Sequence, residues 1–399
     1  NAKNVSENES SILFYKNTGT NTLPNFNFQT KSFLQNRMIE HGKGSVPILY
    51  DYNKDGLKDL FVANLYRFKN TTTKESTLAY YQNTGTSTSP VFTFVDADFL
   101  NLSQQNFGLR LTPTFGDIDD DGEDELIMGN EFGKLIFYEN NGTTFVNPQQ
   151  NFQDKDGNVI SVGSFSYPQL FDLNKDGLLD LIIGNKTGEL AYYQNTGSPT
   201  VPEFELITNL LGGVDVSNSS PDGYSTPHFF TENGATSLFI GDLNGRLSYY
   251  DAIDDSLFTG GNFHLYSNQF LGVNVEGYSS FFIDDTDNDG FLNLFIGQDL
   301  GGVSLMEVDP SSSASIQEQK ELNAIIYPNP TNSFVTIKTE STSNINYSLI
   351  DVSGKTLISN SFQNSTTLDL SSFENGFYFI TLMDEKGLVS TKKVLKSNQ

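Results

Sequence analysis

Asp172-Leu-Asn174-Lys-Asp176-Gly177-Leu178-Leu-Asp180, running on into the apolar stretch Leu181-Ile-Ile183, is the segment on which the reading of this chain turns. Three further copies stand in register with it: Asp51-Tyr-Asn53-Lys-Asp55-Gly56-Leu57-Lys-Asp59, Asp117-Ile-Asp119-Asp-Asp121-Gly122-Glu123-Asp-Glu125 and Asp285-Thr-Asp287-Asn-Asp289-Gly290-Phe291-Leu-Asn293. Oxygen-bearing side chains at positions 1, 3, 5 and 9, with glycine at 6 for a sharp turn, form a cage for a hard divalent cation. One such stretch alone reads equally well as a solvated turn. Four in register point to metal, and calcium is the expected ion, about four per chain.

Position 12, where an EF-hand loop needs its bidentate Glu, holds Val62, Met128, Ile183 and Ile296, so these are not EF-hands. Behind each loop comes a short apolar strand instead: Leu60-Phe-Val, Leu126-Ile-Met, Leu181-Ile-Ile and Leu294-Phe-Ile. The cation is therefore expected in a turn between two strands, holding that turn shut.

Working outward, Pro-x-x-x-Asp precedes three of the loops, from Pro47, Pro113 and Pro168. An aromatic strand ending in Asn-x-Gly recurs at Phe14 to Gly19, Tyr80 to Gly85, Phe137 to Gly142 and Tyr192 to Gly197. In three copies a proline and a phenylalanine follow, at Pro24 and Phe26, Pro90 and Phe92, and Pro202 and Phe204. The first Asp advances 66 residues, then 55, then 113, and the long interval conceals a degenerate copy. There Pro227-His228-Phe-Phe-Thr231-Glu-Asn233-Gly234 aligns with the Pro168 copy after a two-residue deletion, and Ser237 stands where Asp180 would. This slot has lost its carboxylates and is expected to bind no cation. Repeats of about four strands read as propeller blades. The fold class expected is all-β: five recognisable blades plus a partial one over residues 11 to 30, cut from seven, then a small β-sandwich. Recurrence of the aromatic pairs Tyr80-Tyr81 and Tyr192-Tyr193 at one strand position favours core packing over sugar stacking.

The pattern stops at Asp309. Domains are expected at 1–309 (an N-terminally incomplete propeller), 310–323 (a polar linker) and 324–399 (short alternating strands). Residues 1–309 hold 16 Lys+Arg against 41 Asp+Glu, and the remainder 7 against 8. So acidic a surface repels nucleic acid and anionic lipid. The absence of cysteine from the chain rules out disulfides and thiol chemistry. No apolar run approaches a membrane span. The start at Asn1, with a first Met at Met38 and no signal peptide, reads as a fragment.

The acidic block and the Phe/Ile-Gly-Asn that follows it resemble the FG-GAP/VCBS repeat of integrin α-subunit propellers and of large secreted bacterial proteins. The resemblance implies calcium on Asp51, Asn53, Asp55 and Asp59; on Asp117, Asp119, Asp121 and Glu125; on Asp172, Asn174, Asp176 and Asp180; and on Asp285, Asp287, Asp289 and Asn293. It also implies a main-chain oxygen from Leu57, Glu123, Leu178 or Phe291 at each site, and a weaker fourth site because Asn293 replaces a carboxylate. The C-terminal blocks Tyr327-Pro-Asn-Pro330, Asp351-Val-Ser-Gly354-Lys355, Leu368-Asp-Leu370-Ser, Gly376-Phe-Tyr378 and Lys392-Lys-Val-Leu-Lys396 resemble the sorting domain of type IX secretion substrates in Bacteroidetes. That likeness implies a secreted or cell-surface protein of a Gram-negative bacterium, whose residues 324–399 engage the type IX machinery.

Three functions stay open on these residues. The first is a calcium-stabilised binding or adhesion module for an extracellular protein or glycan. The second is a secreted polysaccharide-degrading enzyme of lyase type, in which calcium neutralises a uronate carboxylate and a Tyr, His or Lys takes the proton; His228 is the one catalytic candidate, against the plainer reading of a strand histidine. The third is a non-catalytic spacer of a larger exported protein.

Overall fold

The computed structural model describes residues 13–20, 22–30, 39–70, 72–218, 220–232, 234–275, 277–308, 324–339, 343–351, 355–384 and 389–397. The chain divides into two compact units, Asn1–Pro310 and Ser311–Gln399; the expected linker at 310–323 lies outside the described residues.

The first unit begins with a hairpin, β1 (Phe14–Asn17) and β2 (Phe26–Thr30), that forms a two-stranded sheet of its own. Five antiparallel sheets follow. The first is ordered β3 (Lys43–Tyr50), β4 (Asp59–Phe68), β6 (Leu78–Asn83) and β7 (Phe92–Asp96), with β5 (Lys74–Glu75) added on β4. The second is β8 (Thr112–Gly116), β9 (Glu125–Gly129), β10 (Leu135–Asn140) and β11 (Phe145–Gln150), and the third β12 (Ser166–Phe171), β13 (Asp180–Asn185), β14 (Leu190–Asn195) and β15 (Phe204–Thr208). The fourth is β16 (Thr226–Glu232), β17 (Ala235–Gly241), β18 (Leu247–Asp251) and β19 (His264–Ser267), with a helix, α1 (Ile253–Thr259), between its last two strands. The fifth has three strands, β20 (Ser279–Asp284), β21 (Leu292–Gln298) and β22 (Val303–Val308). Each acidic loop joins the first strand of a sheet to the second.

The apolar run behind each loop is a continuous hydrophobic stretch because the second strand is covered on both faces. Leu181, Ile182 and Ile183 are all fully buried, Leu181 and Ile183 among residues of the second sheet and Ile182 among those of the fourth. The same happens around the unit. Phe61 and Tyr80 pack with Leu126 and Tyr138, Phe239 and Leu247 with Phe281 and Leu294, and Leu49, Leu60 and Val62 with Phe295. The sheets thus meet in cyclic order, the fifth against the first. Gly129, Gly184, Gly241 and Gly297 mark the joints, since a Cβ at each would overlap the main-chain carbonyl oxygen of Ser166, Ser225, Ser279 and Ser45 respectively. Across the last joint Ser280 Oγ donates to Ser45 O (2.8 Å) and Ser45 Oγ to Gly302 O (2.6 Å).

This closure corrects one expectation. Among the described residues, two further sheets cannot stand between the fifth and the first, because those two already share a core and hydrogen bonds. A cavity of about 160 Å³ is lined by the first strand of every sheet, through Ile48, Thr114, Gln169, His228 and Phe282 among others.

The second unit is two facing antiparallel sheets. One is β23 (Ala324–Tyr327), β24 (Phe334–Thr339) and β27 (Ser365–Asp369); the other is ordered β26 (Thr356–Phe362), β25 (Ile345–Asp351), β28 (Gly376–Asp384) and β29 (Val389–Lys396). Val335, Ile337, Leu349, Ile380 and Val394 fill the space between them.

Candidate metal centres

Each acidic loop begins at the residue after a first strand and turns on two left-handed residues. Position 4 (Lys54, Asp120, Lys175, Asn288) has φ of 57°, 56°, 62° and 53°, and the glycine at position 6 has φ of 86°, 87°, 91° and 88°. The second value is where a side chain is strained, which is why glycine recurs there. The position-1 carboxylate caps the turn: Gly56 N donates to Asp51 Oδ2 (2.8 Å), Gly122 N to Asp117 Oδ2 (3.0 Å), Gly177 N to Asp172 Oδ2 (3.0 Å) and Gly290 N to Asp285 Oδ2 (3.1 Å). Position 7 donates its N–H to the position-5 carboxylate, as Leu57 does to Asp55, Glu123 to Asp121, Leu178 to Asp176 and Phe291 to Asp289, at 2.8–2.9 Å.

Two local geometries result. In the second and fifth sheets carboxylate oxygens converge: those of Asp117, Asp119 and Glu125 lie within 4.8 Å of one another, as do those of Asp285, Asp287 and Asp289. Asp117 Oδ1, Asp119 Oδ1 and Asp287 Oδ1 are buried and have no hydrogen-bond partner among the described residues. In the first and third sheets Asn stands at position 3 and folds back, Asn53 Nδ2 donating to Asp55 (2.9 Å) and Asn174 Nδ2 to Asp176 (2.8 Å).

Position 9 is the first residue of the second strand in three copies and the second, after Leu292, in the fifth sheet, and it is buried in all four, at Asp59, Glu125, Asp180 and Asn293. It reaches back across the turn, accepting from the N–H of position 2: Ile118 to Glu125 (3.1 Å), Leu173 to Asp180 (3.2 Å) and Thr286 to Asn293 (2.8 Å). Its other partner was not foreseen from the sequence. Tyr80 OH donates to Asp59 (3.0 Å) and Tyr192 OH to Asp180 (2.9 Å), so the first tyrosine of each aromatic pair is tied to the loop. In the second sheet Phe137, paired with Ile127 as Tyr80 is with Phe61, stands at that position and gives Glu125 no such partner; in the fourth sheet Ser237 keeps it, with Ser237 Oγ 3.2 Å from Tyr249 OH. Covariation of the ninth residue with a residue about twelve to twenty-one positions on was the signal available.

Burial raises the acids that close these turns, because the charged form loses water. Glu125 is pushed up to about 7 and Asp180 to about 6; Asp59 moves the same way. Asp119 is raised by burial and then by the neighbouring charges of Asp121 and Asp117. Buried oxygens without donors and buried acids held near their neutral form are what a bound dication would relieve, and all-oxygen donors at this spacing suit a hard one. The residues present fit such an ion.

The degenerate slot is closed differently. Asp254, on α1, accepts from Thr236 N (3.0 Å) and pairs with Lys175 Nζ (2.9 Å), which also donates to Gly234 O (3.0 Å). Lys54 of the first loop reaches the second loop likewise, at Gly122 O (2.9 Å) and Glu123 (2.6 Å). His228 is buried, with Nε2 3.2 Å from Ile283 O and 3.3 Å from Ile283 N. Gln169 spans the preceding pair of first strands in the same way, donating to Phe229 O (2.8 Å) and accepting from Phe229 N (2.7 Å). The candidate base thus occupies a bridging position repeated around the cavity, and burial lowers it to about 4.

A family model of the FG-GAP-like repeat matches residues 51–128, and one of the secretion system C-terminal sorting domain matches residues 325–397. The chain joins FG-GAP-like repeats to a type IX sorting domain. The sorting domain marks a protein exported by type IX secretion to the cell surface or beyond it. Among the described residues no helix is long and apolar enough to cross a membrane. No curated protein matches the chain. Solved structures similar to it include the extracellular domain of a putative one-component system from B. thetaiotaomicron, at 10% identity and a TM-score of 0.29, covering 90% of this chain and 59% of that one. Dimeric latent PorU from Porphyromonas gingivalis is similar at 11% identity and a TM-score of 0.17, covering 96% of this chain and 36% of that one. The chain therefore spans less than two thirds of each of these proteins, and likenesses this low carry no argument about what it does.

Proposed function

We propose that the five sheets are the blades of a β-propeller whose turns are stapled by calcium, and that this propeller is an extracellular binding or adhesion module for a protein or glycan ligand. The observation that carries the reading is the set of convergent, unpartnered carboxylate oxygens of Asp117, Asp119 and Asp287, repeated in a chain addressed to the outside by its sorting domain. Outside the cell, oxygen cages of modest affinity, about 10⁻⁴ to 10⁻³ M, can fill with calcium. Cyclic packing of the sheets around a cavity lined by all five first strands supports the propeller reading.

In this account the ligands are those named above for each loop, and the ion does mechanical work. It joins the end of a first strand to the start of a second, and Asp59 and Asp180 pass that constraint to the third strand through Tyr80 and Tyr192. The lyase alternative gains nothing from His228, whose ring is committed to Ile283. Arrays of glycans and of host and bacterial surface proteins, probed with the calcium-loaded chain, test the binding reading. Calcium-dependent capture supports it; release of unsaturated sugar products, abolished by His228→Ala, would replace it with the enzyme.

A further inference from the structure

The repeat supplies its own reference, so departures from it locate what has been added to the scaffold. The largest departure is in the fourth sheet, where the Asn-x-Gly turn between third and fourth strands is replaced by α1 and Gly260-Gly261. Beside it, after the third sheet, runs the short turn Leu211–Gly213. That turn belongs to the repeat, recurring after the fourth strand of the first and fourth sheets as Phe99–Gln104 and Phe270–Gly272, and Phe263 N donates to Gly212 O (2.8 Å), tying the segment that follows α1 to it. Between them lies a cavity of about 560 Å³, within the range of roughly 300–1,000 Å³ that small ligands occupy.

Its lining carries no charged side chain. Residues 1–309 carry 41 acidic side chains, yet none lines this cavity, and neither does any Lys, Arg or His. Apolar wall comes from Ile207, Leu210, Leu257 and Phe263, with Ile207 and Leu210 about half exposed. Polar groups come from Gln194, Asn262 and Ser256, whose side chains make no hydrogen bond to the described residues, and from Asn174, Tyr192 and Thr208, which are engaged with Asp176, Asp180 and Leu210 N. Amides and a hydroxyl that both donate and accept, set against apolar wall, suit a ligand bearing hydroxyls on an apolar ring face and no charge.

We propose that this groove is a binding site for an uncharged sugar, one or two residues of a neutral glycan, with Gln194 and Asn262 bonding its hydroxyls and Leu257 and Phe263 covering its apolar face. The proposal deepens the binding-module reading and rests on it. The lining sets the class, since no charged side chain in it can pair with an anionic or a cationic sugar.

The test is calorimetric titration of the full calcium-loaded chain with N-acetylglucosamine, methyl mannoside, lactose, maltose and cellobiose, alongside glucuronate, glucosamine and a leucyl-phenylalanine dipeptide. Two variants accompany it. Asn262→Ala removes an exposed amide. Gly261→Tyr fills the groove at a residue where a Cβ meets only ordinary contacts, 3.4 Å from Thr259 Oγ1. The expected result is binding of at least one neutral sugar, weakened about tenfold or more by each variant, with unchanged thermal melts. Binding that survives Gly261→Tyr would overturn the groove and leave the binding-module reading standing. No binding by any neutral sugar, or preference for a charged sugar or the dipeptide, would overturn the ligand class.

Discussion

Replacing Gly297 by alanine puts one methyl group into the joint that closes the sheets into a cycle. The backbone at Gly297 is not left-handed, and alanine in a strand is by itself more favourable than glycine by about 0.5–1 kcal/mol. Here the added carbon overlaps the Ser45 carbonyl oxygen and lies 2.5 Å from Ser280 Oγ and 2.8 Å from Pro47 Cδ. Two of those three neighbours belong to the first sheet, so the sheets must separate. Overpacking of this kind costs about 1–3 kcal/mol. Separation also loosens the bonds of Ser280 Oγ to Ser45 O, Ser45 Oγ to Gly302 O and Gln298 N to Ser45 Oγ, each worth about 0.5–1.5 kcal/mol net. After the strand preference offsets part of this, a net loss of about 2–4 kcal/mol remains, or roughly 5–10 °C in midpoint for a domain of this size. Gly302→Ala is the control, since its nearest neighbour would be Gln298 Oε1 at 3.8 Å. Calorimetric melts of both variants in calcium decide the matter. Equal stability of the two would mean that the fifth sheet does not rest on the first, and the five-sheet cycle would be wrong.

Other consequences are as direct. His228→Gln should be nearly neutral, because Gln169 already performs the same bridge, whereas His228→Leu should cost about 1–3 kcal/mol for the unpaired Ile283 groups; equal urea midpoints for the two variants would contradict the bridging role. In chelator, folded Glu125 and Asp180 keep protons that the unfolded chain releases near pH 4. The folded state then binds more protons between there and about 6–7, so their contribution to stability falls as pH rises through that window. Glu125→Gln should shrink the fall, and an unchanged pH profile of that variant would refute the assignment. Deleting residues 324–399 should leave the protein inside the outer membrane, judged by fractionation; normal export would overturn the sorting role.

How much of this was legible beforehand follows from range. The acidic turns, their glycines and the apolar strands behind them are local, and so they were readable: a nine-residue cage needs only its own sequence. The degenerate slot was readable by register, and Ser237 pairs with Phe230 as Asp180 pairs with Phe171. What escaped depends on distant partners. The joint between Ser45 and Gly297 spans most of the unit, and no periodicity announces that five sheets, rather than seven, come round to meet. The seven residues of α1 hide where the repeat calls for a turn, since so short a helix has little signal of its own. In the second unit β26 carries little signal of its own, because Leu357-Ile358 is followed by Ser-Asn-Ser without alternation. The tyrosine tied to each Asp at position 9 read only as core, since packing and hydrogen bonding draw on the same aromatic residue.

The central claim is that calcium holds the turns of the first unit. Titrating calcium into the chelator-stripped full chain, with bound ions counted by native mass spectrometry and the melt followed in parallel, tests it most directly. The account predicts about four ions per chain, matching the four intact loops, and a midpoint that climbs with free calcium and falls back in EGTA. A chain that binds no calcium, or whose melting is the same in calcium and in EGTA, would contradict it.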